Sequence, residues 1–202
     1  MLDQKNYTVT TDLTNLLDEL AEFGKRNDAA ATERSKKMLN ITPETGEFLE
    51  LIVNATRARR ILEVGTSNGY STIWLAKAAR ATGGRITTLE MQSHKVAMAT
   101  ENFRRAGVVE LIDLRHTEAG AFLISETQPF DLIFLDSERS QYVGWWPRLS
   151  ALIAPGRLLI ADNATSHPSE MADFIELVRR SRGFLTSLVP IGNGEFLAYK
   201  ER

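Results

Sequence analysis

The chain has 202 residues, 43% of them hydrophobic and 25% charged, with a formal net charge of -2. That size suits one domain with a large core, and the balance excludes a disordered chain and argues against a nucleic-acid binder. With no cysteine and three histidines, disulfides, thiolate metal sites and a cysteine nucleophile are excluded, and oxygen is the expected ligand for any metal.

No apolar run is long enough to span a membrane, and the opening MLDQKNYTVTTDL lacks the apolar core of a secretory signal, so the cytoplasm is the expected compartment. Leu13, Leu16, Leu17, Leu20 and Phe23 recur at helical spacing and predict an amphipathic helix for core or oligomer packing, which leaves room for a homodimer. A second short helix is expected around Ala29 to Lys37. Together these make residues 1–40 a helical extension ahead of a core at 41–202, the whole chain being one domain. In ITPETGEFLELIVNAT, Thr42 is a candidate N-cap and Pro43 the first helical residue.

From there the pattern alternates. Ile61 to Val64 reads as a strand, Tyr70 to Arg80 as a helix, Arg85 to Leu89 as a strand, and Ser93 to Ala106 as a helix closed by Gly107. Leu111 to Arg115 is a strand, Ala119 to Ile124 a short helix, and FDLIFLD a buried strand. A helix from Gln141 to Ile153 is expected to end at Pro155 and Gly156, followed by the strand RLLIAD and a helix over Ser169 to Ser181. The chain closes with FLTSLVPIGNGEFLAYK, two strand-like runs joined through Gly192, Asn193 and Gly194 as a hairpin. Alternating strands and helices with continuous apolar strands predict an α/β fold, a mainly parallel sheet covered on both faces with one antiparallel strand added by the hairpin. The basic clusters at Arg57, Arg59 and Arg60, at Arg104 and Arg105, and at Arg179, Arg180 and Arg182 fall near predicted helix ends, where cations complement the macrodipole.

In such sheets ligands lie at the carboxyl ends of the strands, beside the point where strand order reverses. The loop at that place, Gly65, Thr66, Ser67, Asn68 and Gly69, lacks the middle glycine of a dinucleotide fingerprint. Glu63, just before the loop, would repel an anionic cofactor and welcome a cationic one. S-adenosylmethionine, with a sulfonium, an ammonium and no phosphate, suits that environment. Glu90 ends the next strand, where an acid can accept both ribose hydroxyls.

Asp136 ends FDLIFLD, and Asp162 and Asn163 end RLLIADN, so three oxygen-bearing side chains emerge on the same sheet edge as the loop. They would suit one hard cation such as Mg²⁺, with positions left for water and substrate. The alternative is that the two aspartates cap loops or helices, as aspartates after strands often do.

With LEVGTSNGYS, LDSERSQY, APGRLLIADN and IGNGEFLAYK in place, the chain resembles the cation-dependent class I methyltransferases, the catechol and caffeoyl-CoA O-methyltransferase family, over roughly its last four fifths. The resemblance implies a Rossmann-like sheet of seven strands with the last reversed. It also implies an S-adenosylmethionine-dependent O-methyltransferase acting on a small aromatic, catechol-like hydroxyl with a divalent cation. By the same resemblance Glu63, Gly65, Thr66 and Ser71 match the cofactor loop, Glu90 the ribose-binding acid, and Ile41 the residue that meets the methionine end. Glu118 and Ala119 fall beside the adenine, with Thr117 in place of the usual glycine. Asp136, Asp162 and Asn163 match the metal ligands, Asp136 also touching the cofactor. Asp136 and Arg139 are the candidate catalytic residues, Arg139 standing where the family carries a lysine.

The segment after Asn163 lacks the longer substrate-covering insertion of many relatives, which predicts an open acceptor pocket. Trp145 and Trp146 are candidates for its wall or for core, and His167 for a base, an extra ligand or a solvent-facing loop residue. Two other functions fit parts of the pattern. One is a tRNA hydroxyuridine O-methyltransferase, which needs a basic surface leading to the metal, and the other is a dinucleotide-dependent oxidoreductase, which the missing glycine and Glu63 oppose.

Overall fold

The computed structural model describes residues 4–202, with side chains from Leu13 onward. Seven strands form one sheet: β1 (Arg60–Val64), β2 (Arg85–Glu90), β3 (Ile112–His116), β4 (Phe130–Leu135), β5 (Ile153–Ala161), β6 (Phe184–Val189) and β7 (Glu195–Lys200). Their order is β3-β2-β1-β4-β5-β7-β6. The first five run parallel, and β7 is antiparallel to both its neighbours. This is the expected α/β sheet with a reversed last strand, and its order turns around between β1 and β4.

The helices are α1 (Gln4–Ala30), α2 (Pro43–Thr56), α3 (Tyr70–Thr82), α4 (Ser93–Ala106), α5 (Ala119–Ser125), α6 (Tyr142–Leu152) and α7 (Pro168–Arg180). Strand parity divides the core between the two faces of the sheet. Ile61, Leu132, Phe134 and Ile160 pack with Leu49 and Val53 of α2, Ile73 of α3 and Phe103 of α4. Leu62, Val64, Ile133, Leu135 and Leu159 pack with Leu149 of α6 and Phe174 of α7. Leu13, Leu16, Leu17 and Leu20 of α1 are buried in the first of these clusters. The helical spacing of these leucines thus serves the core.

Capping follows the sequence signals at several ends. The Thr42 hydroxyl accepts from the Thr45 N–H with Pro43 at the first helical position, and Gly107 closes α4 in the left-handed conformation. Arg104 and Arg105, and likewise Arg179 and Arg180, occupy last helical turns as expected.

Several boundaries differ from expectation by a residue or two, and two differences have a visible cause. The predicted helix at Ala29 to Lys37 is a continuation of α1 to Ala30 followed by a 3-10 turn at Arg34–Lys36. Asp28 explains the break: its carboxylate accepts the backbone N–H groups of Met38 and Leu39 at 2.6 and 2.8 Å, folding the chain back on the end of α1. The helix expected to reach Ile153 stops at Leu152, because Ile153 pairs with Phe130 and begins β5. Pro155 and Gly156 then lie inside the strand at a register shift, as proline and glycine in strands tend to. Among the described residues no helix is long and apolar enough to cross a membrane.

Phe174 lies at the centre of the second cluster, 5.4 Å from Tyr142, 5.9 Å from Trp146 and 6.2 Å from Phe196 between ring centroids. Truncating it leaves a cavity among three aromatic neighbours. Phe174→Ala is expected to lower the unfolding free energy by about 3–5 kcal/mol in urea titrations, while the opposite face of the sheet is untouched.

Candidate functional site

At the carboxyl ends of the parallel strands each loop begins by extending the ladder. The Asp136 N–H donates to the Val64 carbonyl and the Asp162 N–H to the Leu135 carbonyl, both at 3.0 Å, and the Gly65 and Thr66 N–H groups donate to Leu89. Residues 65, 136 and 162 are thereby fixed on one edge, at the mouth of a cavity of about 910 Å³. Of the residues singled out in the sequence, Ile41, Gly65, Thr66, Ser71, Glu90, Glu118, Ala119, Asp136, Arg139, Asp162 and Asn163 line it, and so do Trp145 and His167.

Gly65 has φ +108°, and a Cβ placed on it would collide with the Asp136 carbonyl oxygen. Glycine is therefore required where this loop meets the acid cluster. Gly69, at φ +87°, begins α3 with Phe103 packed where a side chain would go. Thr66 and Thr88 share a hydroxyl hydrogen bond at 2.6 Å beneath the loop, and the Ser67 hydroxyl donates to the Met38 carbonyl, tying the loop to the segment after α1.

Glu90 sits at the cavity wall, but its carboxylate already accepts the N–H groups of Ser67, Met91 and Gln92 at 2.8–2.9 Å. It shapes the loop as well as facing the cavity. Glu118 accepts from the Gly120 and Ala121 N–H groups and so N-caps α5.

Glu63 departs from expectation. It does not line the cavity, because it shares the parity of Ile61 and points toward α3. There it is fully buried, its carboxylate caged by the hydroxyls of Ser71, Thr72 and Thr88. Burial pushes its carboxyl up to about 7 against the pull of those hydroxyls. Glu63 therefore acts on the cavity through Ser71 and the loop.

Asp136, Asp162 and Asn163 do come together. The Asn163 amide nitrogen lies 3.2 Å from Asp136 Oδ1 and 3.0 Å from Asp162 Oδ2, with Asn163 itself in the left-handed region at φ +69°. The amide presents its nitrogen to the carboxylates and its oxygen to Ser166, at 3.1 Å. Offering an oxygen to a cation requires that amide to turn over. Burial, with Asp162 beside it, pushes the Asp136 carboxyl well above the usual carboxylate range, while Arg139 and Lys95 pull it back. Burial raises Asp162 as well. Two desolvated acids bridged by one amide are a donor set that a hard dication would neutralise and that fits its oxygen preference. Among the described residues no cluster of three or more His, Cys, Asp or Glu side chains forms a metal cage, so the set is two carboxylates and an amide.

Arg139 is 6% exposed and bound to Glu170, its Nε and one terminal nitrogen each 2.8 Å from Glu170 Oε2. Its guanidinium is clamped at the cavity wall facing the two aspartates. The two tryptophans part company: Trp145 lines the cavity, while Trp146 is core, packed on Phe174 and Phe184 and donating to the Ser181 hydroxyl. His167 N-caps α7 without a side-chain bond to the helix and contacts the Ser166 hydroxyl at 2.9 Å. The short segment around it is stitched to the hairpin tip by N–H groups of Ala164, Thr165 and Ser166 donating to Gly194 and Asn193.

Sequence reasoning missed four participants. Lys95 of α4 is 7% exposed and borders the cavity, its ammonium destabilised by burial. Asn68 is buried in the loop, where its carbonyl accepts from Asn102. The buried Tyr142 hydroxyl accepts the Ser137 N–H at 2.8 Å and holds the turn after Asp136. Arg34 reaches the cavity from the 3-10 turn. A lysine on the inward stripe of the helix after Glu90 was a legible signal; the others depend on tertiary contacts.

The raised Glu63 acid has a testable consequence. The native state keeps its proton up to about pH 7, whereas the unfolded chain releases it near 4.5. Between those values the native state binds more protons, so this residue's contribution to stability falls as pH rises. The stability of Glu63→Gln relative to wild type is expected to increase by on the order of 3 kcal/mol from pH 4.5 to 7 and then level off. Parallel urea-unfolding curves across that range would contradict the assignment.

A family model described as O-methyltransferase matches residues 8–200. A catechol O-methyltransferase of Niastella koreensis is 36% identical over 151 residues, which is 70% of this chain and 68% of that protein. The stretch matched to a Mycobacterium tuberculosis catechol O-methyltransferase, 35% identical over 145 residues, is 68% of this chain and 60% of that protein. Among solved structures, an O-methyltransferase from Bacillus cereus in complex with SAH, S-adenosylhomocysteine, superposes with a TM-score of 0.79 at 27% identity, over 93% of this chain and 91% of that one. These likenesses agree with the resemblance read from the motifs and leave no support for a dinucleotide-dependent oxidoreductase.

Proposed function

The chain belongs to the O-methyltransferase family, enzymes dependent on S-adenosylmethionine, and we propose that it methylates a hydroxyl of a small catechol-like aromatic with the help of a divalent cation. One observation carries the reading: a single cavity contains both the glycine loop with Glu90 and, across Gly65, the Asp136, Asp162 and Asn163 cluster. Donor and acceptor are brought together at that junction.

In this reading Glu90 receives the ribose, Glu118 and Ala119 border the adenine, and Ile41, Thr66 and Ser71 enclose the methionine end. Asp136, Asp162 and Asn163 would hold Mg²⁺ or a similar ion, which when bound lowers the proton affinity of a neighbouring hydroxyl. The acceptor oxygen forms its bond to the methyl carbon as the carbon–sulfur bond breaks, the electron pair leaving with sulfur and the hydroxyl proton going to solvent. The protein forms no covalent bond in this displacement, so its contribution is orientation and charge. Trp145 supplies an apolar wall for an aromatic ring. The short segment after Asn163 leaves the acceptor side without a long cover.

The deciding experiment is a methyl-transfer screen over catechols, flavonoids, phenylpropanoid thioesters and tRNA, with and without EDTA. Transfer to a catechol-type diol is expected, abolished by chelation and restored by Mg²⁺, while calorimetric affinity for S-adenosylhomocysteine survives chelation. Full activity after exhaustive chelation removes the cation from the reading, and transfer confined to tRNA replaces the acceptor.

Arg139 cannot act as a base, because a guanidinium does not lose its proton in this range. Its buried, clamped charge beside the aspartates suits it to stabilise the developing phenolate. The rate is expected to rise with pH until the acceptor hydroxyl ionises. Arg139→Lys should remain active, whereas Arg139→Ala should lose on the order of 10²-fold in kcat and recover little at high pH. An Arg139→Ala profile that overlays wild type at every pH would end that role.

A further inference from the structure

Two cations line the cavity with no anion bound to them. Lys95, in the first turn of α4, is 7% exposed and forms a buried part of the wall. Arg34, in the exposed 3-10 turn after α1, borders the cavity at its rim. Arg139, the third cation of the wall, is paired with Glu170. Among the described residues neither Lys95 nor Arg34 has an ion pair or a side-chain hydrogen bond. Buried charges are normally paired, because burial alone is costly, and burial does destabilise the Lys95 ammonium.

The acids on that side of the cavity are engaged elsewhere. Asp28 accepts the N–H groups of Met38 and Leu39, one on each oxygen, and Glu90 accepts those of Ser67, Met91 and Gln92. The same bonds join the elements that carry the two cations. The Asn27 amide donates to the Lys36 carbonyl at 2.9 Å and the Lys37 N–H to the Arg34 carbonyl at 3.1 Å, which fixes the turn to the end of α1. The Ser67 hydroxyl then holds the Met38 carbonyl at 2.6 Å, while the Ser67 N–H reaches Glu90, whose other oxygen accepts from Gln92, the N-cap of α4. Arg34 and Lys95 thus flank one hydrogen-bonded junction, and Arg34 is among the charges that disfavour the Lys95 ammonium. An anion bound there relieves both. The methyl donor brings a single anion, its carboxylate, and in the reading above that end lies with Ile41, Thr66 and Ser71. The acceptor is the remaining source.

We propose that the acceptor is an anionic catechol, its carboxylate received by Arg34 at the rim and Lys95 on the wall while its hydroxyls face the acid cluster. The inference rests on the acceptor reading given above and narrows it from catechols at large to those with an acidic side chain. Hydrogen bonds between a fixed cation and a carboxylate are worth about tenfold or more against a neutral analogue.

The test compares kcat/KM for a catechol bearing a carboxyethyl group and for its methyl ester, on the full chain with S-adenosylmethionine and Mg²⁺, for wild type, Arg34→Gln and Lys95→Met. The methylenes keep the charge away from the ring, so the two acceptors differ little in hydroxyl acidity, and their ratio is read on one and the same protein. Affinity for S-adenosylhomocysteine and the melting temperature are followed alongside. Wild type is expected to favour the acid over the ester by about tenfold, and each variant to lower that ratio by about fivefold, mainly through KM. Should Lys95→Met fail to fold, Lys95→Gln, which keeps a polar end at the cavity, takes its place. Equal kcat/KM for acid and ester on wild type, transfer to catechol but to neither of these, or a ratio that either variant leaves unmoved would overturn the inference and leave the catechol reading standing. Variants that lose affinity for S-adenosylhomocysteine with the acid-to-ester ratio unchanged would overturn it as well, assigning the cations to the carboxylate of the cofactor. Wild type that methylates neither these acceptors nor catechol itself would overturn the catechol reading, and this inference with it.

Discussion

Where β1 ends, the backbone of Gly65 passes so close to the carbonyl oxygen of Asp136 that no side chain fits between them. Much of the site follows from that approach. It sits where the sheet order reverses, between β1 and β4, so loops leaving the strands diverge on either side and open a cavity. The ladder bonds from Asp136 to Val64 and from Asp162 to Leu135 continue the sheet one residue into each loop. The glycine loop and the acid cluster are therefore parts of one edge of the sheet. Their separation is set by strand spacing, and side-chain flexibility contributes little to it.

The fold was largely legible because its signals are local. A buried parallel strand such as FDLIFLD needs apolar residues on both faces, and the structure places Leu132 and Phe134 on one side and Ile133 and Leu135 on the other. The hairpin through Gly192 and Gly194 was legible for the same reason. Boundaries failed where a distant partner decided them. Asp28 ends the N-terminal helix by binding N–H groups ten and eleven residues ahead, and Ile153 leaves its helix to pair with Phe130. Neither contact leaves a periodic trace in the sequence.

At the site, residue types at strand ends tell which side chains gather on the edge, and of the lining candidates all but Glu63 and Trp146 do gather there. Adjacency to the loop points Glu63 at the cavity, but strand parity sends it to the α3 face. Glu195 carries no local signal at all. It follows the hairpin glycines as an ordinary strand residue, and its buried carboxylate is met by the Thr45 hydroxyl, 150 residues away in sequence. What a buried acid faces is not given by sequence spacing alone.

The acids also share one electrostatic arrangement. Glu63, Asp136, Asp162 and Glu195 are all raised above their ordinary values, each with burial as the leading cause. Near them stand Arg139, paired with Glu170, and Lys95, whose own charge is destabilised by burial. Folding alone therefore favours the protonated, neutral forms of these acids, because burial disfavours their charge. In the proposed reading, positive charge brought by a sulfonium donor or by a divalent cation would favour their ionised forms. Ligands that bind the native state alone stabilise it by mass action. Transfer of the methyl group then converts the sulfonium to a neutral thioether, removing one of the charges that the acids had favoured. In the proposed reaction the donor thus meets these acids as a cation and leaves them as a neutral molecule, so the charge they face changes at the methyl-transfer step itself.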